Sequence, residues 1–489
     1  MRPRISAVGL TRRPLGRVAR SLAVVGVGTA LGQGALVLAS PVLARLYDPR
    51  DFGIMSVYAA VLSILVAVAS LRFDFAIPIA ADPVEAVHLL GVSVALALGS
   101  SIVVGVVVLP WGAQVAGALG AASLAPFMWL LPIALLAAST TQALASWAVY
   151  HRMFSALGRL RAVQGVAQAG AQAALGLVNA GPIGLIVGDI AGRVVGTGQL
   201  LRSLFATLRS TGISGGRIRQ AARDHWDFAR VMTVASLLSA VSLQVPFLLI
   251  PAFFDLESSG QYFLAYRVLV LPASLVAAAV SQVFFGEASL RRADKPKLHD
   301  LARNVAVSLF VFSIPTYGMV AVGGPVLFEA VFGPSWGPAG TYAQIMAPSL
   351  VFWSVASPIS SLPLVGRRER ESLAFTAMEL GLRAASLGVG ALAHSLTVGL
   401  IVLSLTAVLL NIAALWRFLR VASVSLRELV RPTGLIAALT LPFIGLIVVA
   451  GHQDVGVLAL LAILGWVAAF GLAARLSPEL RALLSGSHD

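Results

Sequence analysis

The sequence contains no cysteine and almost no lysine. Among its 489 residues cysteine is absent, and the only lysines are Lys295 and Lys297. Without thiols the chain can form neither disulfides nor thiolate metal sites, and it has no cysteine nucleophile. Its positive charge is therefore carried almost entirely by arginine.

Motifs of common soluble enzymes are also missing. There is no Walker A sequence, no H-E-x-x-H pair and no Asp-x-Asp pair of the kind that many glycosyltransferases use. The letters G-x-S-x-G occur at Gly212–Gly216, but no strand precedes them, so we interpret the match as chance. We therefore expect no catalytic residue, no metal and no cofactor. Any work must be driven by an ion gradient or by the gradient of the substrate.

Charged residues are scarce, whereas apolar residues dominate. Hydrophobic residues make up 58% of the chain and charged residues 11%, and the mean hydropathy is +0.90. A chain of this length with so little polar surface cannot fold as a soluble globule. A spanning helix needs about 20 apolar residues, and about fourteen such segments lie between the charged positions. We therefore expect an all-α polytopic membrane protein.

The net charge of +14 has a topological explanation. In a soluble protein such an excess would suggest nucleic acid, but basic residues also mark the cytoplasmic loops of membrane proteins. Most of the 35 basic residues fall in loops on one side of the predicted membrane, among them Arg152, Arg159 and Arg161 before the fifth helix. We therefore expect both termini in the cytoplasm, contact with membrane lipids and no nucleic-acid partner.

A basic segment divides the chain. The stretch from Arg202 to Arg230 carries six arginines and two acidic residues between two apolar blocks. A segment this polar cannot cross a lipid core, so it predicts a cytoplasmic loop between two membrane-embedded halves. The predicted units are a six-helix bundle (1–205), a hinge loop (206–228), a second six-helix bundle (229–420), and two extra helices with a cytoplasmic tail (421–489), the helices lying at about 434–450 and 455–473.

The two halves share a short repeat. Asp48 and Gly53 recur as Asp255 and Gly260 at an offset of 207 positions, each pair lying at the turn between the first two helices of its half. Internal repeats of this kind predict a transporter whose halves are related by an axis along the membrane normal, with a cavity between them. The full match joins Leu46-Tyr47-Asp48, Gly53 and Val61-Leu62 to Phe253-Phe254-Asp255, Gly260 and Val268-Leu269.

Two intramembrane arginines have an acidic residue four positions away. Asp189 precedes Arg193, and Glu379 precedes Arg383. Residues four apart share a helix face, so each pair can neutralise itself. An unpaired arginine near the bilayer centre costs about 3 kcal/mol or more. The pairs are either structural, or they line a lumen in which an anion docks on the arginines and Asp189 or Glu379 exchanges a coupling ion.

Arg267 is an intramembrane cation without an acidic residue three or four positions away. With a helix beginning near Gln261, its side chain could reach the outer interface. We favour a role as a lumen cation for phosphate, because a guanidinium matches phosphate oxygens through two hydrogen bonds.

Polar and aromatic residues suggest further contacts. Gln164, Gln168 and Gln172 share one helix face, which suits either sugar hydroxyls in a hydrated cavity or hydrogen bonds between helices. Membrane-interface anchoring, rather than stacking on sugars, is expected of five aromatic residues: Trp129, Trp147, Tyr150, Trp336 and Trp353. Close packing is expected along a ladder of glycines, Gly184, Gly188, Gly192 and Gly196.

Three stretches resemble a known family. They are Leu43–Gly53, Leu71–Ile77 and Phe332–Trp336, the last followed by Ala339-Gly340. They resemble polysaccharide-transport proteins of the Wzx type, over about residues 18 to 420. These flippases belong to the superfamily that includes multidrug and toxic-compound exporters and lipid II flippases.

The resemblance implies two six-helix bundles that form a V-shaped, alternating-access transporter, here with two extra helices. It also implies a bacterial inner-membrane location and an undecaprenyl-diphosphate-linked oligosaccharide as substrate, moved from the cytoplasmic to the periplasmic leaflet. Other glycan-assembly membrane proteins are expected partners. Arg72 and Asp74 match the family pattern, and a gating or structural role is expected for them.

Three alternatives stay open from the sequence. A cation-drug exporter of the same superfamily would need an acidic lumen, whereas the unpaired charge here is positive. A membrane glycan polymerase or ligase would need a large periplasmic loop with catalytic residues, and the predicted external loops are short. A lipid II flippase shares the fold, the helix number and a cationic cavity.

Overall fold

The chain folds as a series of long helices. The computed structural model describes residues 15–198, 200–204, 214–291, 294–360 and 369–450. We number its main helices α1 (Leu15–Leu46), α2 (Pro49–Ala69), α3 (Pro83–Ala118), α4 (Leu130–Tyr150), α5 (Phe154–Leu177), α6 (Pro182–Val194), α7 (Gly215–Asp224), α8 (Trp226–Phe253), α9 (Leu256–Leu290), α10 (Lys295–Phe332), α11 (Gly337–Ile359), α12 (Glu369–Leu392), α13 (Leu396–Val421) and α14 (Leu426–Ala450).

The helices confirm an all-α polytopic membrane protein. Within the described residues, eight helices are long and apolar enough to cross a membrane: α1, α2, α3, α4, α8, α9, α10 and α13. The helices α5, α6, α11 and α12 complete two six-helix bundles, α1–α6 and α8–α13, and α14 follows them. The predicted last helix, at 455–473, lies outside the described residues.

Acidic and hydroxyl side chains begin several of these helices. The side chain of Asp82 accepts a hydrogen bond from the backbone N–H of Glu85 at 2.8 Å, and Asp255 accepts one from Ser258 at 2.7 Å. Such caps satisfy backbone donors that a helix start leaves free. The sequence thus fixes where α3 and α9 begin.

The two bundles meet where α2 crosses α9. A Cβ on Gly53 would lie 1.9 Å from the backbone oxygen of Leu256, and a Cβ on Gly260 would lie 1.7 Å from that of Pro49. Only glycine permits so close an approach of two helices. Leu256 lies 207 positions after Pro49, as Gly260 does after Gly53, so the two contacts are equivalent under the repeat. We call this region the closed end.

A second pair of contacts at the closed end obeys the same offset. The hydroxyl oxygens of Ser56 and Ser259 are 2.8 Å apart, and the rings of Phe52 and Phe263 have centroids 6.4 Å apart. Ser259 is the repeat equivalent of Phe52, and Phe263 is that of Ser56. The short sequence match therefore corresponds to a real symmetric interface.

A buried tryptophan strengthens the closed end. The indole N–H of Trp336, which is fully buried, donates to the backbone oxygen of Ala44 at 2.9 Å, and its ring packs on Phe52 at 5.0 Å. Trp147 is also fully buried. The expectation of interface anchoring is therefore wrong for Trp147 and Trp336, because both pack inside the protein, whereas Trp129 is exposed.

Three helices begin earlier than the charges suggest. α9 begins at Leu256 rather than near Gln261, and α5 begins at Phe154, so Arg161 lies inside a helix rather than in a loop. α14 begins at Leu426, not near Gly434. Its start has the Ser-x-x-Glu spacing of a capping box, and the backbone N–H of Ser425 donates to the side chain of Glu428 at 2.9 Å. Single charges near a helix end do not terminate it.

The connecting segment contains a helix. α7 lies within the predicted hinge loop, and α8 begins at Trp226. Ile218 on α7 packs against Gly91 of α3, and the imidazole Nε2 of His225 is 2.8 Å from a carboxylate oxygen of Glu85. The described part of the segment is therefore docked on α3 rather than extended.

Candidate functional site

A polar cavity lies inside the first bundle, between α4, α5 and α6. Its volume is about 370 Å³. Six polar side chains line it: Thr141, Gln142, Ser146, Arg161, Gln164 and Arg193. A polar cavity between membrane helices is a usual place for a transported substrate.

Arg193 is held at the end of α6 by its neighbours. Its guanidinium donates to both carboxylate oxygens of Asp189, with N–O distances of 2.8 and 3.2 Å. Its backbone oxygen, which is near the helix end, accepts from Thr141 and from Gln164, both at 3.0 Å. α6 ends at Val194, Val195 is extended and Gly196 has a left-handed φ of 86°, so this glycine lies outside the predicted ladder.

The amide stripe of α5 binds α6. Besides the bond from Gln164, the side-chain N–H of Gln168 donates to Asp189 at 3.2 Å, and that of Gln172 donates to the backbone oxygen of Leu185 at 2.9 Å. Gly188 and Gly192 leave room for these side chains against α6. Of the two interpretations of the stripe, hydrogen bonding between helices is present. A contact of these amides with sugar stays a prediction.

Arg161 is a site residue that the sequence analysis missed. It lies one turn before Gln164 on α5, lines the same cavity, and is within electrostatic reach of Arg193. Among the described residues that line this cavity, the charged ones are Arg161 and Arg193, and Arg193 pairs with Asp189, so the charge of this group is positive. The sequence did contain a signal for this position: Arg161 and Gln164 are three positions apart, so they lie on the same face of a helix.

Arg267 approaches the same region from the second bundle. It lies eleven residues after the start of α9, about 16 Å along the helix. The start predicted near Gln261 would have placed Arg267 closer to the outer interface. At the observed depth, its side chain does not reach that interface. One of its terminal guanidinium nitrogens is buried and has no hydrogen-bond partner among the described residues. The acidic side chain within its electrostatic reach is that of Asp189, in the first bundle. Asp189 therefore faces cations from both halves.

Tyr58 completes this cluster. Its hydroxyl group is fully buried, has no hydrogen-bond partner within the described ranges, and is within electrostatic reach of Asp189 and Arg193. Tyr58 belongs to α2, the helix that forms the closed end. One helix, α2, therefore contributes both to the charged cluster, through Tyr58, and to the interface between the halves.

The second predicted pair lies elsewhere. Glu379 and Arg383 form the expected ion pair, and Arg383 also donates to the backbone oxygen of Ser242 at 3.1 Å. Both residues line a separate cavity of about 220 Å³ in the second bundle. Arg193 and Arg383 are therefore not brought together, although their helices belong to opposite halves as expected.

Arg72 and Asp74 form a compact turn after α2. The buried carboxylate of Asp74 accepts from the hydroxyl of Ser70 at 2.6 Å and from the amide of Gln142 at 3.0 Å, and lies 3.9 Å from Arg72. Arg72 has a left-handed φ of 56° and stacks over Phe75 at 4.7 Å. Burial lowers the pKa of Arg72, and the charge of Asp74 opposes that shift.

Replacing Asp74 by alanine is expected to destabilise the protein by about 2 kcal/mol, since buried donors on two elements lose their acceptor. Thermal unfolding of the purified chain in detergent measures the effect. Asp227→Ala is the matched control, because Asp227 is 91% exposed and forms a surface pair with Arg230. Equal melting temperatures for the two variants would contradict a structural role for Asp74.

Solved structures with the same fold are membrane transporters. The lipid II flippase MurJ in an inward closed conformation aligns with a TM-score of 0.64 and 13% identity, covering 95% of this chain and 99% of that chain. A MOP superfamily transporter from Pyrococcus furiosus gives 0.53 and 14%, covering 83% and 96%. An inward-facing multidrug resistance MATE family transporter gives 0.54 and 16%, covering 83% and 100%.

Sequence comparison identifies the family. No curated protein matches the sequence of this chain. A family model described as a polysaccharide biosynthesis protein matches residues 42–340. Since these residues make up more than half of the sequence, the chain belongs to the polysaccharide biosynthesis protein family.

Proposed function

We propose that this chain flips undecaprenyl-diphosphate-linked oligosaccharides from the cytoplasmic to the periplasmic leaflet. The observation that carries the proposal is the excess of positive charge around the cavity of the first bundle, where Arg161 and Arg193 both line the cavity and the carboxylate of Asp189 pairs with Arg193. A diphosphate is costly to move through hydrocarbon. Guanidinium groups inside the protein lower that cost by binding phosphate oxygens through charged hydrogen bonds.

Arg267 supplies the contact from the second half. Its buried, unpartnered nitrogen is a donor that a phosphate oxygen satisfies. The diphosphate then lies between the two bundles, with the polyprenyl tail left in lipid and the glycan in the polar interior. Gln164 and Gln168 remain proposed contacts to the glycan or its phosphates, and Arg383 remains a proposed contact to the glycan. Gln172, which is fully buried, positions α6.

Alternating access is the proposed mechanism. The bundles 1–205 and 229–420 rock about the hinge 206–228, and the closed end opens as the opposite end closes. Asp189 and Glu379 are the proposed sites of ion coupling, since both are carboxylates within membrane-spanning bundles. Arg72 and Asp74 form a gating turn at the cytoplasmic end of α2. Both termini lie in the cytoplasm, and the membrane is the inner membrane.

Lipid II is the second candidate substrate. The MurJ alignment covers 95% of this chain, whereas the two other transporters cover 83%. Lipid II also carries a diphosphate and sugars, so the same charged cluster suits it. A cation-drug exporter is disfavoured, because the first cavity region is positive. A glycan polymerase or ligase would add catalytic residues, for which the sequence offers no motif.

Flipping in proteoliposomes tests the proposal. The native chain is expected to move a short undecaprenyl-diphosphate glycan, and Arg267→Ala is expected to lower the initial rate about tenfold or more through loss of one charged hydrogen bond. Arg230→Ala is the matched control, because Arg230 is exposed and pairs with Asp227. Rates are normalised to the amount of reconstituted protein.

Each outcome decides between the candidates. Transport of the glycan lipid by the native chain, lost in Arg267→Ala and kept in Arg230→Ala, supports the proposed function. Transport of lipid II alone transfers the function to the second candidate. Extrusion of a cationic dye without movement of either lipid overturns both.

A further inference from the structure

The cavity of the second bundle differs in character from that of the first. It lies between α11, α12 and α13 and has a volume of about 220 Å³. Its ion pair, Glu379 with Arg383, carries one charge of each sign. Three aromatic side chains also line it: Trp353, Phe375 and Phe418. The cavity is therefore electrically balanced and partly aromatic, unlike the cationic region of the first bundle.

Its polar groups offer mainly hydrogen-bond acceptors. Thr406 uses its hydroxyl hydrogen on the backbone oxygen of Val402, and Asn411 donates to that of Ala407, each at 2.7 Å. The lone pairs of the Thr406 hydroxyl and the carbonyl oxygen of the Asn411 side chain remain as acceptors. The carboxylate of Glu379 adds two acceptor oxygens. A matching ligand must therefore bring several donors of its own.

These features together select a chemical class. An anion is disfavoured, because Arg383 is already committed to Glu379 and to the backbone oxygen of Ser242. A bare metal cation prefers a cage made of oxygen atoms, whereas one side of this cavity is aromatic. A sugar ring matches both the acceptor groups and the aromatic side of the cavity. Its hydroxyl groups donate hydrogen bonds, and its C–H face packs on an aromatic ring.

We propose that this cavity is a subsite for one uncharged sugar ring of the glycan and contributes to substrate specificity. The inference rests on the proposed function: the diphosphate binds at the cluster of Arg193 and Arg267, and the sugar binds in the second bundle. Trp353 supplies the stacking face, and Thr406, Asn411 and Glu379 accept from the hydroxyl groups. The two bundles thus recognise two different parts of one substrate.

A pair of probes separates the two sites. The probes are farnesyl diphosphate and the same lipid carrying one N-acetylglucosamine, and binding to the purified full-length chain in detergent is measured by calorimetry. The native chain is expected to bind the sugar-bearing probe more tightly. Thr406→Val and Trp353→Leu are each expected to reduce that preference about fivefold and to leave binding of farnesyl diphosphate unchanged.

Thr316→Val is the matched control. Its hydroxyl also donates to a carbonyl oxygen one turn earlier in its own helix, at 2.7 Å, but Thr316 lies on α10 outside this cavity. The variant is expected to keep the native preference. The control thereby separates the loss of a sugar contact from the loss of a threonine hydroxyl in a membrane helix.

The outcomes distinguish the two proposals. A native chain without preference for the sugar, or cavity variants that keep it, overturns the subsite. Cavity variants that lose affinity for both probes equally also overturn the subsite, because the substitution then affects the fold or the binding of the diphosphate. A native chain that binds neither probe overturns the proposed function itself.

Discussion

Oxidation of the double variant Ser56→Cys/Ser259→Cys is expected to abolish transport, and reduction is expected to restore it. The two hydroxyl oxygens are 2.8 Å apart across the interface of α2 and α9, so cysteines at these positions can form a disulfide of about 2 Å after a small adjustment. The bond would fix the closed end in its present state. Alternating access requires this end to separate, so a fixed end leaves no path to the other side.

The absence of cysteine from the native chain makes this test clean. The new disulfide is then the sole one within a chain, and its formation is followed by mass spectrometry and by flipping rates in the same proteoliposomes. Each single cysteine variant is the control for substitution alone and is expected to transport at the native rate. Unchanged transport by fully cross-linked protein would contradict any cycle that opens between α2 and α9.

Local spacing predicted much of the charged site. Asp189 with Arg193 and Glu379 with Arg383 form the ion pairs that their separation of four positions indicates. A helix of 3.6 residues per turn imposes that contact without reference to the rest of the fold. The proximity of Arg267 to Asp189 has no such local signal, because 78 positions separate the two and only the packing of the bundles brings them together.

Charges misled the prediction where they were treated as helix boundaries. Arg161 was assigned to a loop, yet α5 begins at Phe154 and carries it into the cavity. An arginine is compatible with a membrane helix when the cavity supplies water or counter-charge. The early start of α14 could have been predicted, since Ser425 and Glu428 have the spacing of a capping box.

The burial of Trp147 and Trp336 could not be predicted from the general preference of tryptophan for membrane interfaces. Interfacial tryptophans are common because one edge of the ring is polar. Trp336 instead satisfies its N–H on the backbone oxygen of Ala44 in the other bundle. The position of that acceptor depends on how α1 packs against the segment before α11, which a single sequence does not specify.

Asp189→Asn is expected to cause the largest loss of stability of any single change in the site. The carboxylate pairs with Arg193 at 2.8 Å, accepts from Gln168 at 3.2 Å and opposes the buried charge of Arg267. Removing it leaves two intramembrane cations without a counter-charge, which costs about 3 kcal/mol or more. Thermal unfolding in detergent measures the loss, and proteoliposomes made from the remaining folded protein measure transport.

Glu379→Gln is the matched control, because it also removes the acid of an i,i+4 pair. In this variant only Arg383 loses its counter-charge, and it keeps its hydrogen bond to the backbone oxygen of Ser242. The control is therefore expected to unfold at a higher temperature than Asp189→Asn. Equal losses in the two variants would mean that Arg267 gains nothing from Asp189, and the charged link between the bundles would have to be abandoned.

A second change separates stability from transport at this site. The double variant Asp189→Asn/Arg193→Gln removes one charge of each sign, so it is expected to recover most of the lost stability. Transport is expected to stay absent, because a proposed phosphate ligand and a proposed coupling carboxylate are both gone. Recovery of stability and transport together would assign the pair a purely structural role and leave phosphate binding to Arg161 and Arg267.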